Sequence, residues 1–226
     1  MAYSDFTLRK FKKDFGLQID EQRNLFSSIP ALPCSDYLVR TLQENVSLAI
    51  AINTEKARSE MIISPVLLEV RRRAEGTLSL FSGTEFNVDS DRGLNGYCDY
   101  ILSRSREQLT LNSPISVIVE AKNENIKEGL GQCAAEMFAA QIFNREEGNE
   151  IDVIYGAVTT GEIWKFLKLV GAIVLIDLNA GLFHSKKFLE CVKCEARKAL
   201  CLSHVCKSII TINIQCKVPC NSPNLN

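Results

Sequence analysis

The sequence predicts an α/β protein in which a mixed central sheet is flanked by helices. Two stretches with apolar residues at helical spacing precede a group of short apolar runs typical of strands. A third helical stretch interrupts these runs, and further strand-like runs follow it. Because the order is helix, helix, strands, helix, strands, the simplest arrangement places helices on the faces of one sheet.

The two leading helices follow a proline-containing loop. The segment 36–52 has helical apolar spacing, and either Ser35 or Asp36 suits its N-cap. The segment 54–73 also has an apolar helical face, but Pro65 lies inside it. Since proline removes a helical hydrogen bond, we expect a kink or a late helix start there.

The remaining elements alternate strands with one long helix. Strand-like composition occurs in the segments 77–89, 97–103, 115–122, 151–169 and 172–178. The first of these is expected to turn at Ser82-Gly83, and the fourth is expected to be a hairpin. The segment 123–148 has apolar residues every three or four positions, and Gly148 fits its C-terminal end.

Ionisable residues lie inside two neighbouring predicted strands. Glu120 and Lys122 are two positions apart, so they project from the same face of their strand. If the preceding strand pairs with it, Asp99 approaches Glu120, and two such carboxylates repel each other. A divalent cation, Mg²⁺ or Mn²⁺, would relieve this repulsion because it prefers hard oxygen ligands. A lysine beside the cation would orient or deprotonate water, or stabilise a charged transition state, which is the chemistry of phosphodiester hydrolysis.

Several segments together resemble a known superfamily. The residues are "SEMIISPVLLEV", "GLNGYCDYILS", "IVEAKNENI", "GLGQCAAEMFAAQ" and "AVTTGEIWKF", within about 54–178. They resemble a largely uncharacterised bacterial branch of the PD-(D/E)xK nucleases, whose first motif often has proline where Cys98 stands here. The resemblance implies a restriction-endonuclease-like fold, metal-dependent hydrolysis of DNA phosphodiesters and DNA as the partner.

The resemblance also implies the residues of the site. The predicted catalytic residues are Asp99, Glu120, Lys122, Glu60 and Gln132. The predicted ligands of Mg²⁺ or Mn²⁺ are Asp99, Glu120, Glu60 and the carbonyl of Ala121. Glu60 is chosen as the acid of the first core helix because it lines up with the apolar face of 54–73, and Glu69 is the alternative.

The sequence predicts three regions: an N-terminal helical extension at 1–53, a nuclease-like core at 54–189 and a cysteine-rich tail at 190–226. Six of the nine cysteines lie in this tail. A structural Zn²⁺ site is one interpretation of the tail, and a tail without metal is the other. The zinc ligands would be Cys191, Cys194, His204 and Cys206, or some of these with Cys216 and Cys220.

Composition excludes some classes of function. The net charge of −1 excludes binding to nucleic acid through global charge. No apolar stretch reaches the roughly 18 residues of a membrane span, and the N-terminus has no apolar signal-peptide region. We therefore expect a cytoplasmic protein with no membrane partner. A catalytically silent nuclease-fold module that binds nucleic acid or a protein stays open as the alternative function, and so does a homodimer.

Overall fold

The computed structural model describes residues 1–26, 34–178 and 181–182. Its helices are α1 (Leu8–Phe15), α2 (Asp36–Ile52), α3 (Glu55–Arg58), α4 (Ser64–Arg73) and α5 (Ile126–Glu146). Its strands are β1 (Gln18–Asp20), β2 (Ser79–Glu85), β3 (Tyr97–Ser103), β4 (Ile115–Ala121), β5 (Val153–Thr159), β6 (Ile163–Val170), β7 (Ile173–Ile176) and β8 (Gly181–Leu182). A 3₁₀ turn at Tyr3–Asp5 and a π-helical turn at Ser59–Ile63 complete the helical elements of the described residues.

The described strands form one mixed sheet of eight strands in the order β1-β7-β6-β5-β4-β3-β2, with β8 paired to β6. The strands β2, β3 and β4 are antiparallel, and so are β5, β6 and β7. The central pair, β4 and β5, is parallel, which requires a long crossover, and α5 lies in that crossover. The predicted α/β class with helices flanking a mixed sheet is confirmed.

Helices cover both faces of this sheet. On one face, α2 and α4 pack over a core that includes Tyr100 and Val119. On the other, α1 and α5 pack over a core that includes Ile101 and Ile118. Because side chains alternate along a strand, Glu120 projects from the same face as Ile118, toward α5.

The predicted helices are present, with Ser35 as the N-cap of α2. Its Oγ accepts a hydrogen bond of 3.2 Å from the backbone N–H of Leu38. The segment 54–73 contains the π-helical turn just before Pro65. Because Pro65 has no N–H, the Met61 carbonyl lacks its helical donor, and it accepts a hydrogen bond from the Asn45 side chain instead.

The predicted turn at Ser82-Gly83 is wrong. The strand β2 continues through both residues, with Ser82 paired to Tyr100 and Thr84 paired to Cys98. Gly83 has a φ of +60°, which glycine adopts without steric strain. The glycine therefore distorts an edge strand locally and does not end it.

The first 20 residues are built into the core. The strand β1 pairs in parallel with β7, and Phe11 is fully buried on the α5 face. A Cβ on Gly131 of α5 would lie 2.2 Å from the Phe6 carbonyl oxygen, so the N-terminal segment packs directly on the backbone of α5. The predicted extension thus contributes the edge strand β1 to the sheet and the helix α1 to the layer of helices on the α5 face.

Two sequence-based expectations concern other parts of the chain. The tail at 190–226, with its predicted zinc ligands, lies outside the described residues. In the part of the chain that is described, none of the helices has the length and apolar character needed to span a bilayer.

Candidate active site

Asp99 lies where the pairing of β3 and β4 ends. The last backbone pair at this end of the two strands joins Tyr100 and Val119. Beyond this pair, the Asp99 carboxylate accepts a hydrogen bond of 2.7 Å from the backbone N–H of Ala121. The carboxylate therefore takes the place of a backbone acceptor and is fixed beside the end of β4. Ala121 itself points its methyl group into the core beneath α2 and α4.

Glu120 is a buried carboxylate with one oxygen unpaired. Its residue is 1% exposed, and Oε1 accepts a hydrogen bond of 2.5 Å from Lys122 Nζ. Its second oxygen, Oε2, is buried and has no hydrogen-bond partner among the described residues. A buried charged oxygen without a partner is costly, so the fold holds this acceptor in place without satisfying it.

Lys122 makes a second contact on the α5 side. Its Nζ lies 3.3 Å from Oε1 of Gln132, to which it donates, while its side chain is 22% exposed. Gly129 provides the space for this side chain, because a Cβ there would lie 3.1 Å from both Cγ and Cε of Lys122. The structure therefore brings together four predicted site residues, namely Asp99, Glu120, Lys122 and Gln132.

Glu136 belongs to the same cluster, although the sequence analysis missed it. Its Oε1 accepts a hydrogen bond of 3.0 Å from Gln132 Nε2, and its residue is fully buried. Its Oε2, like that of Glu120, is buried with no partner among the described residues. The available signal was its position four residues after Gln132, inside an otherwise small and apolar stretch of helix.

Mutual repulsion and burial shape the electrostatics of the cluster. Burial raises the pKa of Glu120, and the charges of Glu136 and Asp99 raise it further against the opposing charge of Lys122. Burial also raises the pKa of Glu136, although its hydrogen bond from Gln132 acts in the opposite direction. Burial is the largest single effect on Lys122 and lowers its pKa, but the charge and the hydrogen bond of Glu120, with the charges of Glu55 and Asp99, together raise that pKa above its usual value. The site thus favours an additional positive charge.

The two candidate helical acids lie elsewhere. Glu60 belongs to the π-helical turn, its side chain is 59% exposed, and it forms an ion pair of 2.7 Å with Lys56. The wider π-helical turn breaks the periodicity that placed Glu60 on the apolar face. Glu69 is buried, but it accepts hydrogen bonds from Ser35 and from Arg73 and so joins α4 to the start of α2.

Among the acids of the segment 54–73, Glu55 at the start of α3 has a charge that raises the pKa of Lys122, after the larger effects of burial and of Glu120. No hydrogen bond or ion pair joins Glu60 or Glu69 to Asp99, Glu120 or Lys122 among the described residues. The sequence analysis did not consider Glu55, which is the first residue of its helix and is exposed.

The residues present suit a hard divalent cation that is bound by few side chains and keeps several of its waters. Within the described ranges, there is no group of three or more His, Cys, Asp and Glu side chains that would hold a metal ion. Mg²⁺, however, is usually bound through one or two carboxylates while it keeps several waters. The unpaired Oε2 of Glu120, beside the Asp99 carboxylate, is a donor of the right chemistry for it.

Comparison with known proteins adds no relative. No family model, curated protein or solved structure matches this chain.

Proposed function

We propose that this protein hydrolyses DNA phosphodiester bonds with the help of Mg²⁺ or Mn²⁺. The observation that carries the proposal is the buried, unpaired Oε2 of Glu120, held at the end of β4 between Asp99 and Lys122. Two neighbouring carboxylates can bind a divalent cation, and an ammonium beside them can stabilise the negative charge of a phosphate. A buried carboxyl oxygen without a partner calls for an explanation, and a bound cation would provide one.

The order of the elements supports the same proposal at the level of the fold. A helix at 64–73 precedes the antiparallel strands β2, β3 and β4, and α5 then leads to β5 and β6. This is the succession that a resemblance to the PD-(D/E)xK nucleases implies: Asp99 and Glu120 lie on the two strands of the hairpin, and Lys122 directly follows the second strand. We therefore propose the restriction-endonuclease-like fold for this α/β sheet.

Each residue of the site would have its own role. Glu120 and Asp99 would hold the cation, with the backbone carbonyl of Ala121 as a further oxygen ligand. When bound, the cation would supply positive charge for the phosphate and acidify water. Lys122 would direct an N–H at the phosphate or at the attacking water, because its ion pair with Glu120 fixes its position. Gln132 would hold the ammonium from the other side.

A cleavage assay tests this proposal. Plasmid and single-stranded DNA are incubated with Mg²⁺, with Mn²⁺ and with a chelator, using wild type, Asp99→Ala and Lys122→Ala. We expect metal-dependent cleavage that both substitutions abolish. The matched control is Lys127→Ala, because this lysine is exposed and lies outside the cluster. Cleavage that survives both site substitutions would show that the site is placed wrongly.

One observation favours the alternative, a nuclease-fold module that binds nucleic acid or a protein without cleaving it. The described acidic side chains do not form a group of three or more around one metal position. A folded wild type that binds single-stranded DNA but cleaves none of the substrates with either cation would support this alternative. The same result would contradict hydrolysis as the function.

A further inference from the structure

We infer that Glu136 is a positioning residue, which fixes the direction of the Lys122 ammonium through Gln132. The inference rests on the proposed function of the site. The three residues form a continuous chain, in which Lys122 Nζ donates to Gln132 Oε1 over 3.3 Å and Gln132 Nε2 donates to Glu136 Oε1 over 3.0 Å. Glu136, at one end of this chain, is fully buried, whereas Lys122 and Gln132 are partly exposed.

The hydrogen-bonding groups of Lys122 and Glu136, at the two ends of this chain, determine how the Gln132 amide is oriented. The Lys122 ammonium has donors and no acceptor, so it can be satisfied only by Oε1 of the amide. The NH₂ group then faces α5, where the Glu136 carboxylate provides an acceptor one helical turn away. Without that acceptor, the NH₂ group would lose its partner in a partly buried place, and the amide would no longer be held with Oε1 toward Lys122.

This orientation leaves one Lys122 donor for a ligand. An ammonium has three N–H donors. One is directed to Glu120 Oε1 and another to Gln132 Oε1, and no further acceptor contacts it among the described residues. The third N–H therefore has a defined direction before any substrate binds. Such preorganisation matters because a displacement of about 1 Å can lower a reaction rate about 10²-fold.

A purely structural role explains Glu136 poorly. It is fully buried beside Cys133 and Met137, and one of its oxygens has no partner. Replacement by leucine would remove the unpaired buried oxygen, but it would also leave Nε2 of Gln132 without its acceptor, so the two effects on stability oppose each other. A positioning role therefore predicts a loss of activity that is larger than the change in stability. A purely structural role predicts a loss of stability instead.

The first experiment compares Glu136→Leu, the conservative Glu136→Gln and the control Gln141→Leu. Gln141 is a buried amide on the same helix that donates to the Gly171 carbonyl, away from the cluster. We expect Glu136→Leu to change the melting temperature little while it lowers kcat for plasmid cleavage about 10²-fold with little change in KM. Glu136→Gln should recover most of that loss, because its side-chain oxygen still accepts from Gln132. Gln141→Leu should leave kcat unchanged.

A second measurement does not need catalytic activity. Lysine ammonium signals are recorded by ¹H–¹⁵N NMR in the metal-free protein, and Lys122→Arg assigns the Lys122 signal. We expect a slowly exchanging Lys122 signal in wild type and in Glu136→Gln, and its shift or loss in Glu136→Leu. If no cleavage occurs but this signal responds, the proposed function fails and the positioning chain stands. An unchanged Lys122 signal in Glu136→Leu, or a variant that fails to fold, would overturn the inference.

Discussion

Substitution of Gly129 by alanine tests how tightly α5 packs on the candidate active site. A Cβ at this position would lie 2.6 Å from Cγ1 of Val158 and 3.1 Å from two carbons of Lys122. Val158 is fully buried in β5 and cannot turn away, whereas the lysine stem is flexible. The added methyl group must therefore push α5 outward, displace Lys122, or do both.

The expected change in stability is the difference of two effects. Alanine in place of glycine inside a helix stabilises by about 1 kcal/mol. Overpacking of a filled core costs about 1–3 kcal/mol. Gly129→Ala should therefore lower the free energy of unfolding by about 0–2 kcal/mol, although helix propensity alone predicts a gain.

Urea denaturation of a double-mutant cycle measures this effect. Val158→Ala removes the carbon that the new methyl group meets, so the two substitutions together should be less destabilising than their sum, by about 0.5–3 kcal/mol. In the cleavage assay, Gly129→Ala should lower kcat, because Lys122 shifts away from Glu120. Independent effects of the two substitutions, or a gain of about 1 kcal/mol in Gly129→Ala alone, would refute the packing argument.

Three further substitutions have defined outcomes. Glu69→Gln should destabilise by about 1.5–3 kcal/mol in thermal unfolding at neutral pH. Burial opposes ionisation of Glu69, but the hydrogen bonds from Arg73 and Ser35 lower its pKa overall. Its stabilising contribution is therefore full above about pH 4.3 and is lost as the pH falls through the lowered pKa, and a constant difference at all pH values would contradict this reasoning. Gly131→Ala should destabilise more than Gly129→Ala, since the new Cβ meets backbone atoms 2.2–2.6 Å away, and equal urea midpoints would contradict it. Asn144→Leu should cost about 1–3 kcal/mol, because both backbone groups of Ile115 lose a buried partner, and a neutral result would mean that water replaces the amide.

The part of the site that lies on strands could be predicted from the sequence. The period of two along β4 places Glu120 and Lys122 together, and the neighbouring antiparallel strand brings Asp99 to the same end. These relations are local, and they need only the correct assignment of two adjacent strands.

The helical part of the site could not be predicted in the same way. Glu60 was placed by assuming a regular helix, but the π-helical turn at Ser59–Ile63 changes the face on which it lies. Glu136 was missed because its burial depends on how α5 packs against the sheet. In the sequence, its hydrogen bond from Gln132 is indicated only by the separation of four residues between the two.

The place of the N-terminal segment in the sheet could not be predicted from the sequence either. Its strand, β1, pairs with β7, which is far from it in the sequence, and such long-range pairing leaves no local pattern. Its helix, α1, is short and rich in lysine, so its two aromatic residues, Phe11 and Phe15, do not form a long apolar periodicity.

This segment also determines the environment of Glu136. Tyr3 is 1% exposed on the α5 side, and the charge of Glu136 contributes to raising the pKa of its hydroxyl, after the larger effect of burial. Tyr3 and Phe6 are buried in the same core as Cys133 and Met137 of α5, the helix that carries Glu136. Because burial is the largest cause of the raised pKa of Glu136, packing on the α5 face contributes to the electrostatics of the site together with the charged residues. The region 1–20 contributes to this packing, although none of its side chains is a predicted ligand or catalytic residue.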